Sequence, residues 1–101
     1  IAKILFSGDM GASMVDDASK PLENFAAHIP KMKSFHQRYM CSNKVIRLWV
    51  NMVRTMDIEM IVPQHGTPFI GKEQINQFLD WIETLQCGID LMYETVFTCP
   101  E

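Results

Sequence analysis

The sequence predicts an α/β domain in which a strand, helices, a second strand and a further helix follow one another along the chain. Two short apolar runs, Ile1–Phe6 and Ile58–Val62, have the length and composition of strands. Between and after them, apolar residues recur at three- and four-residue steps, which is typical of amphipathic helices. A chain of 101 residues can bury one small core. We therefore expect a single set of layers, without an internal repeat or a linker.

The first apolar run predicts a buried strand that ends in a loop. Ser7-Gly8-Asp9-Met10-Gly11 follows Ile1–Phe6 directly, and its two glycines allow a sharp turn. Asp9 is thereby placed at the carboxyl end of the strand. Because a strand needs paired neighbours, a domain seldom begins in the middle of one. We therefore expect an N-terminal part of the domain to precede Ile1.

Two helices are predicted between the strands, after an exposed connection or helix entry over Asp16–Leu22. Pro30 suits the first turn of a helix that carries Met32, Phe35 and Tyr39. Ser42 is a suitable N-cap for the next helix, which we expect to run to about Met56. Its predicted buried stripe consists of Val45, Leu48, Trp49, Met52, Val53 and Met56.

The second strand is followed by a loop and the last predicted helix. Pro63 stops the strand, and the segment Pro63–Pro68 suits neither a helix nor a central strand. From about Lys72, an amphipathic helix presents one apolar face, formed by Ile75, Phe78, Leu79, Ile82 and Leu85. We expect Gly88 to end this helix in a left-handed cap.

The composition excludes several classes of protein. Hydrophobic residues make up 48% of the chain and charged residues 21%, which favours a folded domain over disorder. A formal charge of −3 disfavours a general nucleic-acid binder, and no apolar run approaches the roughly 18 residues of a membrane helix. Three cysteines without Cys-x-x-Cys spacing argue against a disulfide framework. With no visible secretion signal, we expect a cytoplasmic protein.

The charges are unevenly distributed along the chain. Residues 24–56 hold six Lys or Arg and no acid, whereas residues 57–101 hold eight acids and only Lys72. Charge complementarity between neighbouring helices explains this pattern most simply. The alternative is that the basic segment docks an acidic partner.

Two candidate metal ligands follow the two strands. Asp9 comes after the first strand and His65 after the second. Since loops beyond the carboxyl ends of strands meet at one crevice in layered α/β folds, a carboxylate and an imidazole there could share a divalent metal. The spacing equally allows Asp9 to be a turn residue that bonds its own backbone, and His65 to be a surface histidine.

Four segments resemble one family, the metallo-β-lactamase-fold di-iron proteins. This family comprises the flavodiiron oxygen and nitric oxide reductases and the oxygen-binding di-iron proteins. The similar segments are Leu5-Phe6-Ser7-Gly8-Asp9, the block from Arg38 through Ser42-Asn43 to Trp49, Ile61-Val62-Pro63-Gln64-His65-Gly66, and Phe78-Leu79-Asp80-Trp81. The resemblance covers essentially the whole chain but only the C-terminal part of the family's αββα sandwich.

The resemblance implies a function and a site. Asp9 would be the carboxylate that bridges two iron ions, and His65 the last histidine ligand of one of them. The irons would bind dioxygen or nitric oxide, with electrons from a flavin- or rubredoxin-type donor. Oxygen sensing is favoured over full reductase activity, because no flavin-binding segment follows. The flavodiiron relatives also make a homodimer the expected assembly.

The chain departs from the family pattern in its histidines. The family's His-x-Glu-x-Asp-His cluster is absent, so this chain by itself should not complete a two-metal centre. We expect His36 to be solvated and His28 to lie in a loop or cap, and neither to be a ligand. Tyr39 could donate a hydrogen bond to an oxygen species, but its spacing after Phe35 favours core packing.

Two other functions stay open at this point. A zinc-dependent hydrolase of the same fold would use Asp9 and His65 as ligands too, with a metal-bound hydroxide as nucleophile. A metal-free interaction module would use the basic segment alone.

Overall fold

A computed structural model of the chain describes residues 3–15 and 22–92. Within these residues the architecture is mixed α/β: helices pack on one face of a three-stranded sheet. The strands are β1 (Ile4–Gly8), β2 (Met60–Pro63) and β3 (Phe69–Ile70). The helices are α1 (Phe25–Tyr39), α2 (Asn43–Arg54), α3 (Gly71–Ile82) and a short 3₁₀ helix (Gly88–Leu91). The predicted fold class is confirmed.

The sheet places β2 between its two neighbours. β1 pairs with β2 in parallel, with Leu5 opposite Ile61 and Phe6 opposite Val62. β3 pairs with β2 antiparallel, with Phe69 opposite Ile61. β3 was not predicted, because a two-residue strand directly after Pro68 has too little periodicity to be recognised.

The two faces of β1 differ in burial. Leu5 packs against the core cluster, whereas Phe6, which points to the opposite face, is 75% exposed. Within the described residues, the prediction of a buried strand is therefore wrong for the face that carries Ile4 and Phe6. In the part of the chain that the structure describes, the helices cover one face of the sheet, and Ile4 and Phe6 lie on the other face.

The core lies between the sheet and the helices. α3 packs on β2 and β3, while α1 and α2 pack against α3. The predicted face of α3 is buried as expected, and Phe78 at its centre stacks on Phe69 at a ring distance of 4.5 Å. Leu85 is also buried, just after the helix.

Two helix boundaries differ from the predictions. α1 begins at Phe25, with Asn24 as its N-cap, so Pro30 lies inside the helix and not in its first turn. α3 ends at Ile82, six positions before Gly88. Gly88 does adopt a left-handed φ of 52°, but it opens the 3₁₀ helix against the carbonyl groups of Met40 and Cys41, where a Cβ would clash.

The N-cap of α2 is confirmed, but its predicted buried stripe is not. Ser42 Oγ accepts a hydrogen bond from Val45 N at 3.4 Å. The buried side chains of the helix are Asn43, Ile46, Val50 and Val53, and of the predicted stripe only Val53 is fully buried. α2 packs against α3 through the face of α2 that lies next to the predicted stripe. Most of the predicted stripe therefore points outward.

Charge complementarity between helices is seen at one place. Arg54 at the end of α2 forms ion pairs with Asp80 and Glu83 of α3. Asp57 bridges Lys3 and Lys72, and these two ammonium groups lower the pKa of Asp57 to about 2. Within the described residues, the other cations of residues 24–56 form no ion pair, so the simple explanation accounts for part of the pattern.

Some predictions fall outside the described residues. The connection over Asp16–Leu22 is described only at Leu22, and Ile1 and Ala2 of the first run are not described. Among the helices that the structure describes, none combines the length and apolar character needed to span a bilayer.

Candidate metal site

The two candidate ligands lie at the same edge of the sheet. Asp9 follows β1 and His65 follows β2, and the two strands are parallel, so both loops leave the sheet at its carboxyl edge. The loops are also bonded to each other, since Gln64 N donates to the carbonyl of Gly8 at 2.7 Å. The prediction that the two loops meet at one edge of the sheet is thus confirmed.

The Asp9 loop is a tight, fully bonded turn. Ala12 N donates to the carbonyl of Asp9 at 3.0 Å, and Met10 N to the carbonyl of Ser7 at 3.2 Å. The Ser7 hydroxyl donates to the carbonyl of Met10 at 2.6 Å. The Asp9 side chain stays exposed. A backbone held by these hydrogen bonds thus presents an exposed carboxylate.

The His65 loop is held by the end of the Asp9 loop. Ser13 N donates to the carbonyl of His65 at 3.2 Å, and Ser13 Oγ accepts from Thr67 N at 3.2 Å. Gly66 between them has a φ of 105°, and a Cβ there would lie 2.2 Å from Ser13 Oγ. Only glycine permits this close approach. The His65 side chain, like that of Asp9, is exposed.

His36 is buried, which contradicts the expectation of a solvated side chain. It is 0% exposed, and Gly11 N donates to its Nε2 at 2.9 Å. Its Nδ1 lies 2.8 Å from the carbonyl of Met32. Burial lowers the pKa of His36, so the ring is neutral at pH 7. The four-residue step from Met32 could have revealed this, because it puts His36 on the same helix face as a core residue.

His28 is buried as well, inside α1 and not in a loop or cap. It is 3% exposed, its ring lies edge-on to Phe69 at 6.0 Å, and among the described residues its Nε2 has no hydrogen-bond partner. Burial, and secondarily the charge of Lys31, lower the pKa of His28. Like His36, it faces the protein interior, away from solvent.

Tyr39 and the described cysteines do not add to the site. Tyr39 packs on Phe35 at a ring distance of 4.9 Å but is largely exposed, so the prediction of core packing is wrong. Cys41 is exposed and lies beside the N-cap of α2. Cys87 is buried, and burial raises the pKa of its thiol to about 11, which keeps it protonated and unreactive.

The donors at this edge suit iron but do not complete a site. A carboxylate and an imidazole are both ligands that iron takes in proteins, and both are exposed here on rigid loops. Within residues 3–15 and 22–92, no three His, Cys, Asp or Glu side chains come together in a way that could hold a metal ion. These residues therefore supply part of a ligand set.

Comparisons with known proteins agree on one family. A family model described as "ODP family beta lactamase" matches residues 1–66. A solved structure of "Peroxy diiron species of chemotaxis sensor ODP" is 47% identical, has a TM-score of 0.82, and is matched over 88% of this chain and 38% of that chain. "Apo state of chemotaxis sensor ODP from T. denticola" is 46% identical, also with a TM-score of 0.82, over 89% of this chain and 37% of that chain.

The search of curated proteins found no match. The chain spans less than two-fifths of the length of each of the two solved relatives.

Proposed function

Since the chain belongs to the ODP family of β-lactamase-fold proteins, we propose that it is part of a di-iron protein that binds dioxygen as a sensor. The observation that carries the proposal is the shared carboxyl edge of β1 and β2, where the loops that carry Asp9 and His65 are hydrogen-bonded to each other, in a chain 47% identical to a di-iron chemotaxis sensor. The similar structures' description as sensors supports sensing over reduction of dioxygen or nitric oxide.

In this proposal, Asp9 and His65 would help to hold the two irons, Asp9 as a carboxylate shared between them and His65 as a ligand of one of them. A bridging carboxylate offsets the repulsion between two cations that lie about 3.5–4 Å apart. An imidazole on a braced loop holds its iron while leaving other coordination positions open. When bound, two ferrous ions would supply the redox chemistry for dioxygen binding.

The remaining ligands belong, in this proposal, to a part of the domain that precedes the chain. Two observations support it: the chain spans 38% of the length of its di-iron relative, and Ile4 and Phe6 leave one face of β1 apolar and uncovered. That face would pack against the other sheet of the αββα sandwich. The complete centre would then lie between the two parts.

The experiment is a metal analysis of the full-length protein, grown with both iron and zinc available. We expect about two irons per protein and an absorption change on exposure to air. Asp9→Ala and His65→Ala should each abolish or strongly reduce iron loading. Matched controls are Glu59→Ala, an exposed carboxylate before β2, and Gln64→Ala, the neighbour of His65. Both controls should load iron normally.

Two results would contradict the proposal. Zinc without iron in the wild type would favour the hydrolase of the same fold. Full iron loading in both Asp9→Ala and His65→Ala would mean that the ligands lie elsewhere.

A further inference from the structure

Both ring nitrogens of His36 have defined partners. The carbonyl of Met32 can only accept a hydrogen bond, so Nδ1 at 2.8 Å carries the proton. The amide of Gly11 can only donate, so Nε2 at 2.9 Å is unprotonated. The two contacts thus require one neutral tautomer. In this tautomer Nδ1 anchors the ring to α1, and Nε2 holds Gly11.

The ring of His36 has little freedom to move. Aromatic rings surround it: Phe35 at 5.5 Å, Trp81 at 6.1 Å and Phe78 at 6.5 Å between ring centres. Phe35 and Trp81 both approach edge to face. A side chain packed in this way sits in one rotamer and moves only when its surroundings move. Nε2 is therefore a fixed acceptor at the end of a rigid side chain.

The hydrogen bond from Gly11 N connects this acceptor, His36 Nε2, to the Asp9 turn. Gly11 has a φ of 90°, and a Cβ on it would lie 2.8 Å from Cε2 of Phe69. The neighbouring Ala12 N closes the turn on the carbonyl of Asp9 at 3.0 Å. The amide of Gly11 points inward, away from water, and needs an acceptor there. Holding this amide sets the backbone that carries the carboxylate of Asp9.

We propose that His36 is a positioning residue for the metal site: its Nε2 fixes the Asp9 turn through Gly11 and so aims the bridging carboxylate. This inference rests on the proposed function, because it takes Asp9 as a metal ligand. A carboxylate that bridges two ions must present both oxygens in set directions. Groups that orient a metal ligand typically change metal affinity 10- to 100-fold when they are removed.

A pair of substitutions separates positioning from folding. In His36→Gln, the amide oxygen can reach toward the place of Nε2 and accept from Gly11, but the contact with Met32 is lost. In His36→Asn, the amide nitrogen can donate to Met32, but the shorter side chain does not reach Gly11. Both replace a buried ring by a smaller amide. We expect both to lower the unfolding midpoint of the metal-free protein.

Iron binding should tell the two variants apart. Titration of the full-length, metal-free protein with ferrous ion should give an affinity for His36→Gln within about threefold of wild type. His36→Asn should bind iron at least tenfold more weakly, in line with the loss of an orienting group. Equal affinities in the two variants, or affinities that simply follow their unfolding midpoints, would overturn the proposal.

A measurement on the wild type covers the case in which neither variant folds. In the metal-free, ¹⁵N-labelled protein, NMR should show a through-hydrogen-bond coupling between the Gly11 amide and Nε2, with the proton on Nδ1. A proton on Nε2 would overturn the proposal without any variant. A wild-type protein that takes up no iron would instead contradict the proposed function, while this NMR result would stand by itself.

Discussion

Helices α2 and α3 have the same length and comparable apolar stripes, yet only one of the two predicted stripes is buried. In α3 the predicted face points into the core, and Phe78 and Ile82 are completely covered. In α2 the predicted face points outward, and Val45, Leu48 and Met52 are 50–60% exposed. Spacing identified both helices correctly. It identified the buried face in only one of them.

The difference comes from what surrounds each helix. α3 lies between the sheet on one side and α1 and α2 on the other, so its apolar face is covered from several directions. α2 packs mainly against α3 and carries apolar residues on two adjacent faces. Tertiary packing selects the face with Ile46, Val50 and Val53. A periodic stripe therefore predicts a helix more reliably than it predicts the helix's orientation.

The largest loss of stability should come from a substitution at the centre of the buried face of α3. Phe78→Ala removes a fully buried ring stacked on Phe69, and we expect it to lower the free energy of unfolding by about 3–5 kcal/mol. Denaturant titration of the full-length protein measures this. Gln77→Ala, the exposed neighbour, should change stability by no more than about 0.5 kcal/mol. A cost below about 1 kcal/mol for Phe78→Ala would mean that α3 is not central to the core.

Two substitutions in α2 test its orientation directly. Ile46→Ala should cost about 2–4 kcal/mol, because Ile46 is buried against the core, whereas Leu48→Ala should cost no more than about 0.5 kcal/mol. The same denaturant titration compares them. Equal costs, or a larger cost for Leu48→Ala, would show that the stripe predicted from spacing is the buried one in the complete protein.

The smallest effect should be a pH dependence that originates in α1. Burial lowers the pKa of His28 and His36 below 6.5, so the unfolded chain takes up protons more readily than the folded one. Stability is therefore complete above about pH 6.5 and falls as the pH drops below that value. Unfolding free energies measured between pH 7.5 and 5.5 should show this slope.

Replacing one of the two histidines measures its contribution to the pH dependence of the unfolding free energy. His28→Leu should weaken the pH dependence without abolishing it, since His36 remains. It should also not destabilise at low pH, because it removes a buried nitrogen that has no hydrogen-bond partner within residues 3–15 and 22–92. Ile29→Leu, which changes no titratable group, should keep the wild-type slope. An unchanged slope in His28→Leu would contradict the assignment of part of the pH dependence to His28.

The sequence allowed the order of elements and the edge of the site to be predicted, because both follow from local spacing and the direction of strands. Asp9 and His65 each follow a strand, and parallel strands end at one edge. The burial of His28 and His36 could not be predicted in this way. Their partners, Phe69 and Gly11, are far away in the sequence and meet them only in the folded chain. β3 was not predicted because it has only two residues. The exposed face of α2 was not predicted because spacing alone does not decide which of two apolar stripes is buried.

The parallel pairing of β1 and β2 has a consequence for the rate of folding. Parallel neighbours need a long crossover, and here α1 and α2 lie between the two strands. The contact between Ser13 and Thr67 spans 54 positions of sequence, so its loop-closure entropy must be overcome before the contact stabilises anything. Local helices can form early, but the edge at which the Asp9 and His65 loops meet must wait for this closure. We therefore expect the arrangement proposed for metal binding to appear late in folding, after most of the helical structure.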